Sequence, residues 1–171
     1  MRTPVQKALG SVERAVFERR LDCQVYKDGD SIRAESFFKD PYHDIALTLW
    51  VDKKTFRIIN AKARMKKAPY VVCAEVEALV ASLCGLSIYH RAVNREVRRL
   101  IPRQAGCTHL FELIEFSLGC LFSGAPLAGA GDENSPQPLE GINPEEHRKI
   151  HSDNPWLKNT CRAFKNDEEG N

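Results

Sequence analysis

The sequence predicts an α+β domain, in which an antiparallel meander sheet of three to four strands carries helices packed on one face. Two observations support this fold class. Four β-rich segments follow one another between residues 15 and 66, and only short turns separate them. From Pro69 onward the apolar residues instead recur at helical spacing. Sequential strands joined by short turns favour an antiparallel sheet, on which the later helices bury their apolar sides.

The four strand segments end at recognisable turn signals. The first, at residues 15–29, ends in Asp28-Gly29, and the second, at residues 31–40, ends in Asp40-Pro41. The third, "HDIALTLWVD" at residues 43–52, alternates apolar and polar positions, which is typical of a half-buried strand. The fourth, "TFRIINAKARMK" at residues 55–66, is its predicted partner.

Three helices are predicted to follow the sheet. The first begins near Pro69 and stops at Gly85, and the second covers the short segment "AVNREVRRLI" at residues 92–101. The third begins at Cys107 or Thr108 and has the strongest helical periodicity in the chain. A further short helix is expected after Asn143, which is a suitable N-cap residue.

Composition divides the chain into three parts. Residues 1–123 form the predicted core domain, residues 124–142 are rich in Gly, Pro and Ser and read as a flexible linker, and residues 143–171 form a segment expected to dock on the core. Net charge is +2, with 20 basic and 14 acidic side chains before residue 124 and 5 and 9 after it. This balance points to no particular partner, although a protein partner stays open.

The chain is predicted to be a cytoplasmic protein that does not associate with membranes. We expect no membrane span, because no apolar run approaches the ~20 residues that a bilayer requires. The first 20 residues lack the apolar core of a secretory signal. The six cysteines are therefore expected to be free thiols.

Several side chains suited to metal or thiol chemistry stand near predicted element starts. Cys107 and Cys73 lie at helix N-termini, where the helix dipole stabilises a thiolate, and His109 follows Cys107 closely. His43 and Asp44 open the third strand, and neighbouring residues on a strand point to opposite faces. Taken singly, each is better explained as an ordinary buried thiol or a turn residue.

Taken together, these residues predict a metal site. Asp44, Cys73 and Cys107 could converge at one end of the sheet, and carboxylate with thiolate is a ligand set that zinc or iron accepts. The remaining candidates for a fourth ligand are His43, His109 and Cys161.

Two other kinds of function stay open. One is a non-catalytic binding or adaptor module in which the cysteines are structural. The other is an anionic ligand, such as a phosphate or nucleotide, held by the basic second helix through Arg91, Arg95, Arg98 and Arg99. Nucleic acid is not favoured as a partner, because no aromatic residues interleave with these basic ones along the sequence.

The segments "HDIALTLWVD", "APYVVCAEVEALVASLCGL", "VRRLIPRQAGCTHLFEL" and "NPWLKNTCRAF" resemble a bacterial family known as domain of unknown function 2889, over roughly residues 15–165. A more distant resemblance is to the U-type iron–sulfur cluster scaffolds. It implies an α+β meander fold with a metal site at Asp44, Cys73 and Cys107. Tyr42 and Gly106 stand where those scaffolds have a cysteine and a histidine.

Overall fold

The fold is described from a computed structural model of the chain, covering residues 15–102, 105–129, 143–153, 155, 158 and 159. Four strands come first: β1 Arg20–Asp28, β2 Ser31–Lys39, β3 Asp44–Asp52 and β4 Ile58–Lys67. A 3₁₀ helix, Val71–Leu83, follows them. Three α-helices complete the described elements: α1 Val93–Leu100, α2 Thr108–Gly129 and α3 Pro144–Asp153.

The four strands form one antiparallel sheet in the order β1-β2-β3-β4, so the predicted meander is confirmed. Two-residue and four-residue loops join β1 to β2 and β2 to β3, and Gly29 has the positive φ of 56° that the first turn requires. In the β2–β3 register Phe38 pairs with Ile45, whereas Lys39 pairs with Asp44. Consecutive pairs therefore lie on opposite faces of the sheet.

One face of the sheet is the core face, and it packs against α2. Its residues on β2 and β3 are fully buried, and apart from Ser36 they are apolar. The apolar members are Ile32, Ala34, Phe38, Ile45, Leu47, Leu49 and Val51. The buried Ser36 accepts a hydrogen bond from Ser117 of α2 at 2.7 Å between the hydroxyl oxygens, so this polar pair inside the core is satisfied. The predicted placement of helices on the sheet is thus confirmed.

The first predicted helix is present, but it is a 3₁₀ helix rather than an α-helix. Of the residues at helical spacing, Val76, Val80 and Leu83 are buried, whereas Val72 near the helix start is 62% exposed. The β-branched valines favour an α-helix less than straight side chains do, because their χ1 angle is restricted. The 3₁₀ helix runs beside β4, where the Glu77 carboxylate accepts the backbone N–H of Met65 at 2.6 Å.

Helix α2 extends farther than the sequence predicted. It continues to Gly129, with Pro126 inside it, so the first six residues of the predicted linker are helical. Gly124 was read as a linker residue, yet its absent side chain serves packing: a Cβ there would lie 3.1 Å from Val25 Cγ2 of β1. Residues 130–142 lie outside the described residues, so the rest of the linker prediction stays a prediction.

Helix α2 is also long and apolar enough to cross a membrane by length and composition alone, over Thr108–Ala128 with mean hydropathy 1.4. The sequence analysis expected no such segment. The side chains of Leu110, Leu113, Ile114 and Leu121 are fully buried inside the protein, which is typical of the core helix of a globular domain.

The chain divides into two compact units, Met1–Ala125 and Pro126–Asn171. The first unit contains the sheet, the 3₁₀ helix, α1 and most of α2. In the second, α3 begins at Pro144, and Asn143 caps it through its side-chain oxygen, which accepts the backbone N–H groups of Glu145 and Glu146 at 3.0 and 2.9 Å. Docking of residues 143–171 on the core domain stays a prediction.

Candidate metal centre

The four-residue loop between β2 and β3 holds the first half of the candidate site. It is folded by Asp40, whose Oδ1 atom accepts the backbone N–H groups of Tyr42 and His43, each at 2.8 Å. Aspartate commonly closes turns in this way, and Pro41 between them has no N–H to satisfy. The Asp40 side chain is only 1% exposed and accepts a further bond, 3.0 Å long, from His43 Nδ1.

The Asp40 carboxylate is therefore a buried charge with compensating partners. Its Oδ2 atom lies 3.2 Å from Arg19 Nη2, and Arg19 also pairs with Glu112 of α2 at 3.1 Å. Burial raises the pKa of Asp40, but the hydrogen bonds from Tyr42 and His43 outweigh it and lower that pKa to about 2. Asp40 is ionised at neutral pH and holds the His43 ring in place.

The second half of the site comes from the start of α2. Cys107 is the N-cap residue, because its carbonyl oxygen accepts the first helical hydrogen bond, from Phe111 N–H at 2.9 Å. His109 lies in the first turn of this helix, and its Nδ1 atom is 3.9 Å from Cys107 Sγ. The Phe38 ring contacts the rings of both histidines, with centroid distances of 5.2 Å to His109 and 6.1 Å to His43.

Asp40, His43 and His109 meet in one cluster, which we call the Asp–His–His cluster. One potential ligand atom from each of them lies within 4.8 Å of the other two. The centroids of the two imidazole rings are 3.9 Å apart, with the rings tilted by 37°. Among the described residues, this is the cluster in which at least three histidine, cysteine or carboxylate side chains lie close enough together to hold one metal ion.

The electrostatics of the cluster keep His109 available as a ligand. Burial is the main cause that lowers its pKa below the usual 6.5, and the neighbouring His43 and Arg19 lower it further. A neutral imidazole binds metal, whereas a protonated one does not.

The structure brings together only part of the predicted set. His109 is next to both His43 and Cys107, and the buried His43 contacts Phe38 of the core face, whereas Asp44 does not lie on that side. Asp44 pairs with Lys39 at 3.6 Å on the opposite face of the sheet from Ile45 and α2. Strand alternation therefore removes it from the cluster that the sequence analysis assigned to it.

Cys73 is also outside the cluster. It lies in the first turn of the 3₁₀ helix beside β4, half-buried, and among the described residues it does not form a three-ligand group with Asp44 and Cys107. An iron–sulfur cluster needs several thiolates at one place, and among the described residues Cys107 is the thiol that contacts the Asp–His–His cluster. Cys161, the remaining candidate ligand, lies outside the described residues.

Asp40 is the residue that the sequence analysis missed. Asp40-Pro41 was read only as a break between strands. The spacing Asp-x-x-His is a usable signal, because an aspartate that caps a turn accepts N–H groups two and three residues later and so meets the side chain at the third. Asp40 and His43 have this spacing, and the structure confirms the contact.

The basic helix α1 has internal partners for part of its charge. Arg99 pairs with Glu96 at 3.0 Å, and Arg98 pairs with Glu115 of α2 at 3.5 Å while its guanidinium lies 5.3 Å from the centre of the Phe111 ring. These contacts favour a solvated, self-paired face over an anion site.

Comparison with curated proteins and comparison with solved structures each found no match. The resemblance to iron–sulfur scaffolds thus stays a prediction. The family model described as "Protein of unknown function (DUF2889)" matches residues 19–118, more than half of the chain. This range includes Asp40, His43, Cys107 and His109. The protein belongs to this family of unknown function.

Proposed function

We propose that the protein binds a transition-metal ion, zinc or iron, at the Asp–His–His cluster. The observation that carries the proposal is the meeting of three ligand side chains within 4.8 Å, two from one hairpin loop and one from α2. Zinc bonds to imidazole or carboxylate are about 2.0–2.2 Å long, so two ligands of one ion lie at most ~4.4 Å apart. The limit of 4.8 Å for the cluster is thus close to the ligand spacing around a bound ion.

Within this site we assign different tasks to the carboxylate and the imidazoles. Asp40 Oδ1 already accepts three hydrogen bonds, and Oδ2 is engaged by Arg19. A carboxylate that accepts His43 Nδ1–H leaves Nε2 as the metal-binding atom, which is the usual arrangement around protein-bound zinc. The proposed ligands are therefore His43 and His109, with Asp40 as the residue that orients His43. We add Cys107 as a third ligand because its Sγ atom lies 3.9 Å from His109 Nδ1, and it would have to rotate toward His43 to complete the set.

A set of two imidazoles and one thiolate suits both zinc and iron, and it leaves one coordination position open. An open position permits Lewis-acid or hydrolytic chemistry. We further propose a cytoplasmic location, because the five described cysteines are all free thiols.

The test is metal analysis of protein prepared without a histidine tag. We expect about one zinc or iron per chain, and we expect His43→Ala and His109→Ala to lose it. His90→Ala is the matched control, since it removes an exposed histidine outside the cluster, and Asp44→Ala and Cys73→Ser test the other two predicted ligands; all three should retain the metal. Cobalt substitution checks Cys107, because a bound thiolate gives near-ultraviolet charge-transfer absorption that Cys107→Ser should abolish.

The Asp40→Asn variant tests whether the Asp40 carboxylate orients His43 or binds the metal itself. If Asp40 orients His43, metal affinity falls by about 10–100-fold, as for other residues that support a ligand. Because ligands must be deprotonated, metal binding should weaken as the pH falls, and the lowered pKa of His109 keeps that one imidazole available to lower pH than an ordinary histidine. A chain that takes up neither zinc, iron nor cobalt, or that keeps its metal in both histidine variants, would contradict the proposal.

A further inference from the structure

The face of the sheet opposite α2, which we call the open face, carries a second set of exposed side chains. Phe37 of β2 and Trp50 of β3 are half-exposed on it, and Lys62, Arg64 and Lys66 of β4 are exposed. The register confirms their common side, since Phe37 pairs with Ala46, Ala46 pairs with Arg64, and Thr48 pairs with Lys62. Lys66 lies at a register shift in the β3–β4 pairing, between Met65, which pairs with Ile45, and Lys67, which pairs with Asp44.

The three cations of β4 form a row with uncompensated charge. In the part of the chain that the structure describes, no ion pair joins Lys62, Arg64 or Lys66 to a carboxylate. The cations of β2 differ in this respect, because Arg33 pairs with Asp28 and Glu35. Lys39, at the end of the same strand, pairs with Asp44. Positive potential on the open face is therefore concentrated along β4, and outward residues of a strand recur every ~6.8 Å.

Two aromatic rings of the open face, those of Trp50 and Phe37, have one of these cations beside them, whereas Tyr26 of β1 lies on the same face against Arg33. Lys62 Nζ lies 5.7 Å from the centre of the Trp50 ring, and Lys66 Nζ lies 5.4 Å from the centre of the Phe37 ring. Trp50 and the Phe37 partner Ala46 are four residues apart on β3, so the two rings are about 14 Å apart along the strands. The face thus offers two stacking platforms flanked by a line of cations.

We propose that the open face binds single-stranded nucleic acid, with bases stacked on Trp50 and Phe37 and phosphates neutralised by Lys62, Arg64 and Lys66. Aromatic platforms beside a cationic track are how sheet surfaces hold unpaired strands, because every base has a face that can stack. The sequence analysis did not favour this partner, since the aromatics and cations come from different strands and interleave only in the folded sheet.

Other anionic partners fit this face less well. A duplex keeps its bases stacked internally, so the rings would have nothing to receive. A membrane surface requires apolar side chains that insert below the headgroups, whereas Phe37 and Trp50 are half-buried on the sheet and do not project from it as exposed apolar side chains do. An acidic protein segment would use the cations but would leave the two rings without a role.

The first measurement is fluorescence anisotropy of a labelled oligothymidylate titrated with the full chain. A strand of about 15 nucleotides covers the upper range of known single-site sizes. We expect a dissociation constant of ~10⁻⁶–10⁻⁴ M at low salt. A plot of the logarithm of the association constant against the logarithm of salt concentration should have a slope near −2, because each of three neutralised phosphates contributes about −0.7. In a Trp156→Phe background the fluorescence of Trp50 should be quenched on binding.

Two variants test the two halves of the proposal. Trp50→Ala should weaken binding roughly 5- to 150-fold, the range for loss of one stacked base. Lys62→Gln/Arg64→Gln/Lys66→Gln should weaken binding and flatten the salt slope. Its matched control is Arg91→Gln/Arg95→Gln/Arg99→Gln, which removes the same charge from the α1 region and should bind as the wild type does. Trp50→Leu, with circular dichroism, separates loss of stacking from loss of fold.

Three results would overturn the proposal. One is the absence of binding at ~0.1 mM protein and low salt, where even non-specific complexes form. The second is unchanged binding by the β4 triple variant. The third combines two observations. Duplex DNA, polyglutamate or phosphatidylserine vesicles compete for the oligothymidylate site as well as unlabelled oligothymidylate does, and folded Trp50→Leu binds with unchanged affinity. Together they would mean that the open face attracts any polyanion.

Discussion

Replacing Asp40 by alanine should destabilise the protein far more than the same replacement at Asp44, three residues beyond Pro41. Asp40 is a buried carboxylate that accepts four hydrogen bonds from three residues, Arg19, Tyr42 and His43. Asp44 is partly exposed and makes a single 3.6 Å ion pair with Lys39. The two variants therefore compare one residue type at the two ends of one hairpin loop.

The magnitude follows from the partners that each substitution leaves behind. Hydrogen bonds to a charged group contribute about 1.5–3 kcal/mol each, but four that share one carboxylate are not additive. Removal of one partner of a buried ion pair costs about 3–5 kcal/mol. Arg19 keeps its contact with Glu112 and is 32% exposed, so it regains part of its solvation. We expect a loss of about 3 kcal/mol for Asp40→Ala, and 0–1 kcal/mol for Asp44→Ala.

The measurement is the free energy of unfolding in urea, with thermal unfolding as a second reading. A loss of 3 kcal/mol corresponds to a decrease in Tm of roughly 6–12 °C for a chain of this size. Equal losses in the two variants, or a loss below about 1 kcal/mol for Asp40→Ala, would refute the argument that the loop is held together by the Asp40 carboxylate.

Three further predictions follow from the geometry. Folding lowers the pKa of Asp40 from 3.8 to about 2, so the unfolded chain binds more protons than the folded chain between these pH values. The free energy of unfolding of the wild type should therefore fall as the pH drops from about 4 to about 2. In Asp40→Asn, this part of the pH dependence of the free energy of unfolding should be absent. Gly119→Ala should stabilise α2 by about 0.5–1 kcal/mol, because nothing lies within 4 Å of the new Cβ and alanine favours a helix. Gly124→Val should destabilise by about 1–3 kcal/mol instead, since Val25 fills that space, and calorimetry that ranks the two variants equally would contradict this packing. Alkylation at pH 8 followed by mass spectrometry should modify exposed Cys84 quickly and Cys23 slowly, because burial raises the pKa of Cys23 to about 11.

The sheet was predictable from sequence because its signals are local. Alternation of Ile45, Leu47, Leu49 and Val51 identifies a strand and its buried side, and Asp28-Gly29 identifies the turn before β2. The end of α2 was not predictable in the same way. Gly124 reads as a helix stop by its own conformational preference, and only the approach of Val25 from β1 gives the glycine a reason to lie inside the helix.

The candidate site was predictable only in part, for the same physical reason. The chemistry of His43, Cys107 and His109 follows from their residue types. His43 and His109 meet in one cluster, and Cys107 contacts His109. Which thiols and carboxylates join them depends on the relative placement of the elements. A cysteine at one helix start looks locally like a cysteine at another, so Cys73 could not be separated from Cys107. Asp44 could have been excluded, because alternation already turns it away from the side that His43 faces.

The contacts along β4 have a consequence for how this protein behaves at high concentration. Near the start of β4 the Ile58 backbone N–H and C=O bond to Leu86 and Gly85, and near its end Glu77 accepts the N–H of Met65. An incoming chain that tried to extend the sheet here would find these positions taken at both ends of the strand. Unpaired sheet edges are the places where proteins join into aggregates or swapped dimers, so growth from this side is discouraged by the protein's own 3₁₀ helix and the turn that follows it.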